Sequence, residues 1–212
     1  MLQRFIDTIR DNRGATVAAA LIVVLALAGA ALIGLPPLFM VGLLVAFFGA
    51  TRLIYDRRTR HLEPRPSSTL ATSALLGALA VFLVAQAVPY GRDHSNPPVT
   101  AEPDWATPQT RELMVRACFD CHSNEVVWPW YSNVAPFSWA VWKHVEDGRN
   151  KVNYSEWDQN QRKADESWEE TKKGSMPPAY YTFGGVHPAA NLTEAELAAL
   201  LDGLADTPGL SE

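Results

Sequence analysis

The sequence predicts an all-α protein, with three transmembrane helices in residues 1–89 followed by a small helical domain. Two windows, of 38 residues (14–51) and 26 residues (66–91), contain no Asp, Glu, Lys or Arg. Windows of that length are wide enough to cross a bilayer. In the remaining residues the apolar side chains recur at helical spacing, and no window alternates as a strand does.

The first two spans share the longer window. A single helix through it would be about 57 Å long, nearly twice the ~30 Å hydrocarbon layer. Pro36 and Pro37 lie near its middle, and two successive residues without a backbone N–H break a helix. The window therefore predicts a tight hairpin of spans near 15–34 and 38–54. Small residues recur every four positions in the second span and favour helix packing there: Gly42, Ala46 and Ala50.

The third span is predicted at 69–88, an Ala- and Leu-rich stretch that ends before Pro89. Its last residues, Ala85-Gln86-Ala87, also resemble the small-residue cleavage site of a secretory signal. Cleavage after Ala87 therefore stays open as an alternative. Two preceding spans favour retention of the third as a helix.

Basic residues predict the direction of the spans, because Lys and Arg near span ends favour the cytoplasmic side. They precede the first span and fill the loop before the third: Arg4, Arg10, Arg13, Arg52, Arg57, Arg58, Arg60 and Arg65. Both stretches face inward only if two crossings separate them, and the third crossing then exports residues 90–212. The sequence thus predicts a multi-pass protein of the inner (cytoplasmic) membrane with a periplasmic domain.

The net charge changes sign between the predicted membrane part and the predicted exported part. Residues 1–89 carry 8 basic and 4 acidic side chains, whereas residues 90–212 carry 10 basic and 19 acidic ones. An acidic exported domain argues against nucleic acid as a partner. It favours positively charged partner proteins, in addition to the membrane lipid around the spans.

The exported part begins with a predicted Pro-rich linker at 90–106, which contains three prolines and shows no periodicity. A helical domain is predicted at 107–212. Its four helices are expected to begin at capping residues: Thr107 with Pro108, Ser138, Ser155, and Thr193 with Glu196. Glycines are expected to end the second and third helices, at Gly148 and Gly174.

Cys118-Phe119-Asp120-Cys121-His122 is the Cys-x-x-Cys-His pattern of covalent c-type haem attachment. Two cysteines three residues apart lie on one helical edge and can form thioethers with both haem vinyl groups, while His122 becomes the proximal iron ligand. A thioredoxin-like pair would need a βαβ setting and a zinc site would need further ligands, and the sequence provides neither. The sequence predicts one covalent haem c per chain.

A sixth ligand has to approach the opposite haem face, which argues against Met114 on the helix leading into the motif. Met176 is the predicted ligand, because Pro177-Pro178 fixes the backbone after it and aims the thioether. Three histidines are the rivals, since His/Met and His/His pairs are both common axial pairs in electron transfer. The main one is His187, followed by His144 and His94.

Large aromatic side chains follow the motif and predict the apolar walls of a haem pocket. They are Trp128, Trp130, Tyr131, Phe137, Trp139 and Trp142, and the first three are the predicted cofactor contacts. A backbone carbonyl is expected to orient the His122 imidazole through its other nitrogen. Pro129 and Pro136 are the two candidates for that carbonyl, and the sequence leaves the choice open.

Residues 90–202 resemble the bacterial haem-binding domain family, a small c-type cytochrome module. The resemblance rests on five stretches: YGRDHSNPPVTAEPDW, CFDCHSNEVVWPWYSNVAPFSW, VEDGRNKVNYSEW, GSMPPAYY and HPAANLTEAE. It implies covalent haem on Cys118 and Cys121, with His122 proximal and one preceding membrane anchor. The chain departs from that pattern by adding the hairpin of the first two spans.

These observations predict a membrane-anchored monohaem cytochrome c that transfers single electrons, with a cytochrome c-like helical domain and no catalytic residues. An electron carrier keeps both axial positions of its iron filled. The alternative is a haem-based sensor or a peroxidase-like haem enzyme, which needs a displaceable sixth ligand. A third interpretation, a structural subunit of a larger respiratory complex, overlaps with the first.

Overall fold

The computed structural model describes residues 21, 23–25, 28, 37–62, 67–185 and 187–211. The chain divides into two compact units, Met1–Val88 and Pro89–Glu212, called here the N-terminal and C-terminal units. Regular structure in the described residues is helical, with one isolated parallel bridge between Ala101 and Glu156. The predicted all-α class is confirmed for these residues.

The N-terminal unit contains two long helices, α1 (Pro37–Thr59) and α2 (Ser67–Gln86). Both are long and apolar enough to cross a membrane, by length and composition: α1 over its whole length and α2 over Thr69–Gln86. They correspond to the predicted spans at 38–54 and 69–88. The predicted span at 15–34 lies outside the described residues, except for 21, 23–25 and 28, which are helical. The structure therefore describes two candidate spans where the sequence predicts three.

α1 and α2 approach each other closely at Gly77. A Cβ atom at Gly77 would lie 2.6 Å from Thr51 Oγ1 and 3.0 Å from the Thr51 backbone nitrogen. Elsewhere along the pair, Arg58 donates a 2.7 Å hydrogen bond from Nη1 to Thr72 Oγ1. The Gly42 position is open: outside its own helix, no described atom lies within 4 Å of where its Cβ would stand. The close contact of this pair is therefore made at Gly77, whereas Gly42 of the predicted pattern makes none with the described residues.

The C-terminal unit is built from six α-helices in the described residues. They are α3 (Pro108–Ala117), α4 (Phe119–His122), α5 (Phe137–Lys151), α6 (Ser167–Lys172), α7 (Ala179–Thr182) and α8 (Glu194–Asp206). Short 3₁₀ turns lie at Trp130–Asn133, Phe183–Gly185 and Pro188–Ala190. The core joins α3, α4 and α8 to the segment after α5, through Leu113, Met114, Phe119, Val152, Tyr154, Ala164, Leu200, Leu204 and Leu210.

Two of the predicted helix starts are confirmed. Thr107 accepts a 3.0 Å hydrogen bond from the Thr110 backbone N–H, and Pro108 is the first residue of α3. Thr193 and Glu196 form the complete capping box of α8. α8 crosses α3 at Gly203, where a Cβ would lie only 2.1 Å from Thr110 Oγ1. These contacts fix the helix that leads into Cys118.

The predicted helix from Ser155 is wrong in its first half, because α6 begins only at Ser167. Ser155 looks like a helix cap, but its hydroxyl accepts a 2.9 Å hydrogen bond from the Asn124 backbone N–H. Its own N–H donates to Asn153 Oδ1 over 3.0 Å. These bonds, one of them long-range, hold the backbone in a loop.

Residues 90–106 contain no helix, as expected of the predicted linker, but they pack against the rest of the C-terminal unit. The Thr100 N–H donates to the Ser155 carbonyl over 2.9 Å. Glu102 accepts two 2.7 Å hydrogen bonds from the Arg111 guanidinium. Trp105 packs against the core, beside Phe119. The segment predicted as a linker is therefore part of the domain, which begins at Pro89 instead of at 107.

Candidate functional site

The Cys-x-x-Cys-His motif lies where α3 passes into α4. Cys118 separates the two helices, and its carbonyl accepts a 3.0 Å hydrogen bond from the His122 N–H. Cys118 and Cys121 are free, half-buried thiols. Burial raises the pKa of each thiol to about 12, and the nearby charge of Asp120 adds to the effect at Cys121. Thiols with so high a pKa are protonated at neutral pH, which disfavours the reactive thiolate of a redox pair.

The imidazole of His122 is oriented by a backbone carbonyl. Its Nδ1 lies 3.1 Å from the Val152 carbonyl oxygen. A carbonyl only accepts, so Nδ1 carries the proton and Nε2 keeps its lone pair in the neutral ring. Burial lowers the pKa of His122, while the Val152 and Gly148 carbonyls partly offset that shift. The ring is therefore held in the neutral form that ligates a metal.

The prediction that Pro129 or Pro136 supplies the carbonyl that orients His122 is wrong. The Pro129 carbonyl accepts from the Ser132 N–H at 3.0 Å, and the Pro136 carbonyl accepts from the Trp139 N–H at 3.1 Å. Both prolines thus use their carbonyls to begin local turns of helix. Val152 supplies the carbonyl instead, because it caps the C-terminal end of α5, which folds back onto the motif.

Gly148 explains how α5 comes so close to the backbone of the Cys-x-x-Cys-His motif. The helix continues through this residue to Lys151, so the predicted stop at Gly148 is wrong. A Cβ at Gly148 would lie 2.3 Å from the Cys121 carbonyl oxygen and 2.9 Å from its carbonyl carbon. Only a glycine lets α5 pass against the motif backbone at this point.

Asp120, between the two cysteines, connects the motif to two later segments. Its Oδ1 accepts a 3.0 Å hydrogen bond from the Val127 N–H, and its Oδ2 accepts a 2.6 Å hydrogen bond from the Tyr181 hydroxyl. The Tyr181 ring stacks on His187, with centroids 3.9 Å apart and planes 12° from parallel. His187 Nε2 shares a 2.7 Å hydrogen bond with the Tyr131 hydroxyl. These four side chains are called here the Asp120 network.

Burial sets the protonation states in the Asp120 network. It raises the pKa of Tyr181, and the hydrogen bond to the Asp120 carboxylate raises that pKa further. It also raises the pKa of Tyr131 and lowers the pKa of His187, although the charge of Asp120 opposes the shift at His187. The network therefore consists of neutral rings around one carboxylate.

Met176 and the competing histidines lie in separate surroundings. Met176 is half-buried in the loop after α6, and its N–H donates to the Glu170 carbonyl over 3.2 Å. Ligation by its sulfur stays a prediction. His187 has its Nε2 engaged by Tyr131, as described above. His144 stacks on Tyr180, and His94 Nε2 lies 3.1 Å from the Ser132 carbonyl.

The predicted aromatic contacts differ in exposure. Trp128 is half-buried and stacks on His94, with centroids 4.4 Å apart. Trp130 is 78% exposed and meets Tyr131 edge to face, and Tyr131 belongs to the Asp120 network. Trp128 Nε1 is buried and has no hydrogen-bond partner in the described part of the chain.

The donor set suits a haem. Two free thiols stand beside an imidazole whose Nε2 has a lone pair, as covalent attachment and axial ligation require. Buried polar groups almost always find a partner, and the unpartnered Trp128 N–H is a donor suited to an anionic group. Haem carries such groups as its propionates.

Sequence reasoning missed the roles that four residues have at this site: Gly148, Val152, Asp120 and Tyr181. A glycine inside a helical pattern indicates a close backbone approach as well as a stop, so a signal for Gly148 was present. Asp120 was visible as a charge inside an otherwise apolar motif. The roles of Val152 and Tyr181 depend on contacts 30 and 61 residues away along the chain, for which the local sequence has no signal.

A family model described as a haem-binding domain matches residues 80–206, which is more than half of the chain. The chain therefore belongs to the haem-binding domain family, as its motifs indicate. The match supports haem as the cofactor of the C-terminal unit. Neither a curated protein nor a solved structure matches the chain significantly.

Proposed function

We propose that this protein is a membrane-anchored monohaem c-type cytochrome that transfers single electrons at the extracytoplasmic face of a bacterial membrane. The observation that carries the proposal is the hydrogen bond from His122 Nδ1 to the Val152 carbonyl, which leaves Nε2 available beside two free thiols. The family match adds haem as the ligand of this site.

Each residue of the site has a defined task in this proposal. Cys118 and Cys121 hold the macrocycle through thioethers, formed by adding each S–H bond across a vinyl group. Val152 orients the His122 ring and increases its basicity as a ligand, as a carbonyl partner does for metal-bound histidines. When bound, the haem supplies one-electron redox chemistry.

Met176 is the proposed sixth ligand. His187 is disfavoured because its Nε2 is bonded to Tyr131 and its ring is stacked on Tyr181. Ligation through that nitrogen would break the hydrogen bond and separate the rings. Met176 is half-buried, and the two prolines after it restrict the backbone.

The N-terminal unit is the proposed anchor in the inner membrane, with α1 and α2 as two of its spans. The basic residues in and after the end of α1, among them Arg57 and Arg58, favour the cytoplasmic side for the loop before α2. The C-terminal unit then lies in the periplasm. A periplasm-active reporter should be active when fused after Val88 and inactive when inserted within 57–65.

The acidic C-terminal unit is proposed to meet a positively charged redox partner. Salt screens such an attraction, so the rate of electron transfer should fall as ionic strength rises. A rate that does not change with ionic strength would argue that the charge only keeps the surface solvated.

The decisive experiment is the visible spectrum of the membrane protein, oxidised and reduced, with and without carbon monoxide. An electron carrier with Met176 as ligand should be low-spin and should bind carbon monoxide weakly. Met176→Ala should become largely high-spin and bind it readily, whereas His187→Ala should stay low-spin. If His187→Ala opens the iron and Met176→Ala does not, the ligand is His187. Avid binding by the unmodified protein would favour the haem sensor or the peroxidase-like enzyme.

A further inference from the structure

We infer that Asp120 and Tyr181 are positioning residues that hold the segment from Met176 to Thr182, the ligand segment, against the haem attachment motif. The inference rests on the proposed function, with Met176 as the sixth ligand. It adds two residues that are not among the proposed thioether or iron ligands and that would control how firmly the methionine is held.

Asp120 is fixed at the motif end of this contact. It belongs to α4, a single helical turn with Cys121 and His122 as its last two residues. Its Oδ1 is already engaged by the Val127 N–H at 3.0 Å. The carboxylate therefore has a set orientation, and its second oxygen faces the Tyr181 hydroxyl at 2.6 Å.

The ligand segment is tied at both ends. Before Pro177, the N–H groups of Ser175 and Met176 both donate to the Glu170 carbonyl at the last turns of α6, over 3.1 and 3.2 Å. After Pro178, α7 brings Tyr181 to Asp120. The two prolines in between lack N–H groups and have restricted φ angles, so the backbone from Met176 to Tyr181 has few alternatives.

The Tyr181 end is further supported by ring contacts. Its ring lies flat against His187, and His187 is bonded in turn to Tyr131, next to the exposed Trp130. Burial and the hydrogen bond to Asp120 raise the pKa of Tyr181, so its hydroxyl stays protonated as the donor of the 2.6 Å bond. Charge-assisted hydrogen bonds of this type are the strong ones.

Removal of the Tyr181 hydroxyl should loosen the methionine without unfolding the site. Tyr181→Phe keeps the ring stack on His187 and deletes only the bond to Asp120. Carbon monoxide has to displace the sixth ligand from ferrous haem, so its affinity reports how firmly Met176 is held. We expect the carbon monoxide affinity of Tyr181→Phe to rise about 10-fold, the size expected for loss of one hydrogen bond to a charged group.

Tyr180→Phe is the matched control. It removes one hydroxyl from the neighbouring position of α7, where the ring stacks on His144, and it leaves the Asp120 bond in place. Asp120→Asn keeps an acceptor at this position and should give an intermediate rise. The weak charge-transfer absorption of thioether-ligated ferric haem should lose intensity in the same order. A merely structural role of Tyr181 would lower stability without this ranking.

The outcomes separate this inference from the proposed function. One outcome would overturn the positioning role alone. In it, the unmodified protein shows thioether ligation, but Tyr181→Phe and Tyr180→Phe bind carbon monoxide with equal affinity. Unmodified protein that lacks the charge-transfer absorption and binds carbon monoxide avidly would overturn Met176 as ligand, and the positioning role with it. Absence of covalent haem would overturn the proposed function itself.

Discussion

Gly77 in the N-terminal unit and Gly148 in the C-terminal unit both stand where two segments come close, but they face different atoms. The nearest atom to a Cβ at Gly77 would be the hydroxyl oxygen of Thr51, which belongs to a side chain. A Cβ at Gly148 would meet the carbonyl oxygen of Cys121, part of the Cys-x-x-Cys-His motif. The Thr51 hydroxyl can rotate away from such a contact, although the Thr51 backbone nitrogen would still lie 3.0 Å from the new Cβ. The Cys121 backbone, inside a short helix, cannot move aside.

The comparison shows that a glycine inside a helical pattern can have two different structural roles. In the apolar pair of α1 and α2, glycine improves the packing of helices that length and apolar composition already define. In the small C-terminal unit, glycine is required so that α5 can reach the motif and Val152 can bond to His122. The C-terminal unit should therefore tolerate added side-chain atoms at its close contacts less well than the pair of α1 and α2.

The largest expected effect comes from replacing Cys118 and Cys121 together by Ala. No thioether can then form, so covalent haem should be lost completely. Helices α1 and α2 should still insert into the membrane. Haem-stained electrophoresis under denaturing conditions measures the first result, and an immunoblot of the membrane fraction measures the second. A stained band in the double variant would contradict c-type attachment.

Gly148→Ala should be the most damaging single-methyl addition. The new Cβ would overlap the Cys121 carbonyl, so α5 would have to move away and the Val152 bond to His122 would lengthen. Overpacking of this kind costs about 1–3 kcal/mol, and we expect the upper end of that range because the clash is with backbone. Denaturant unfolding of the haem-loaded protein measures the loss. Asn150→Ala, at an exposed position of the same helix, is the control and should change little.

Gly77→Ala should have a smaller effect, about 1–2 kcal/mol, because Thr51 Oγ1 can rotate aside and only the Thr51 backbone then stays close, with its nitrogen 3.0 Å from the new Cβ. Thermal unfolding in detergent measures the change in the N-terminal unit. Gly42→Ala is the matched control at the open position of α1 and should be neutral or slightly stabilising, since alanine favours a helix. Equal losses for Gly77→Ala and Gly148→Ala would remove the difference between the two units.

The smallest expected effect is the response of α8 to acid. Arg116, followed by the Thr193 cap, lowers the pKa of Glu196 to about 2 from its ordinary value of 4.5. A carboxyl with a lowered pKa in the folded state stabilises the protein above the ordinary pKa and stops doing so as the pH falls toward the lowered one. Glu196→Gln should therefore flatten part of the fall in unfolding midpoint between pH 4.5 and about 2. An unchanged slope would mean that this half-buried ion pair contributes nothing measurable.

Local chemistry is what the sequence could predict. The caps at Thr107 and Thr193 involve residues three apart, and the local pattern of Cys118, Cys121 and His122 predicts a haem protein, which the family match supports. Contacts between distant residues were not predictable. Ser155 resembles a helix cap in every local respect, yet its hydroxyl is used by Asn124, 31 residues earlier.

The close packing of residues 90–106 also determines where the domain can be cut out of the chain. A fragment beginning at 107 would lose Glu102, which binds the Arg111 guanidinium, and Trp105, which covers Phe119 and Tyr154. A soluble fragment that is to fold alone should therefore begin at Pro89. The proline-rich segment 90–106 thus belongs to the same compact unit as the helices, and Glu102 and Trp105 anchor it there.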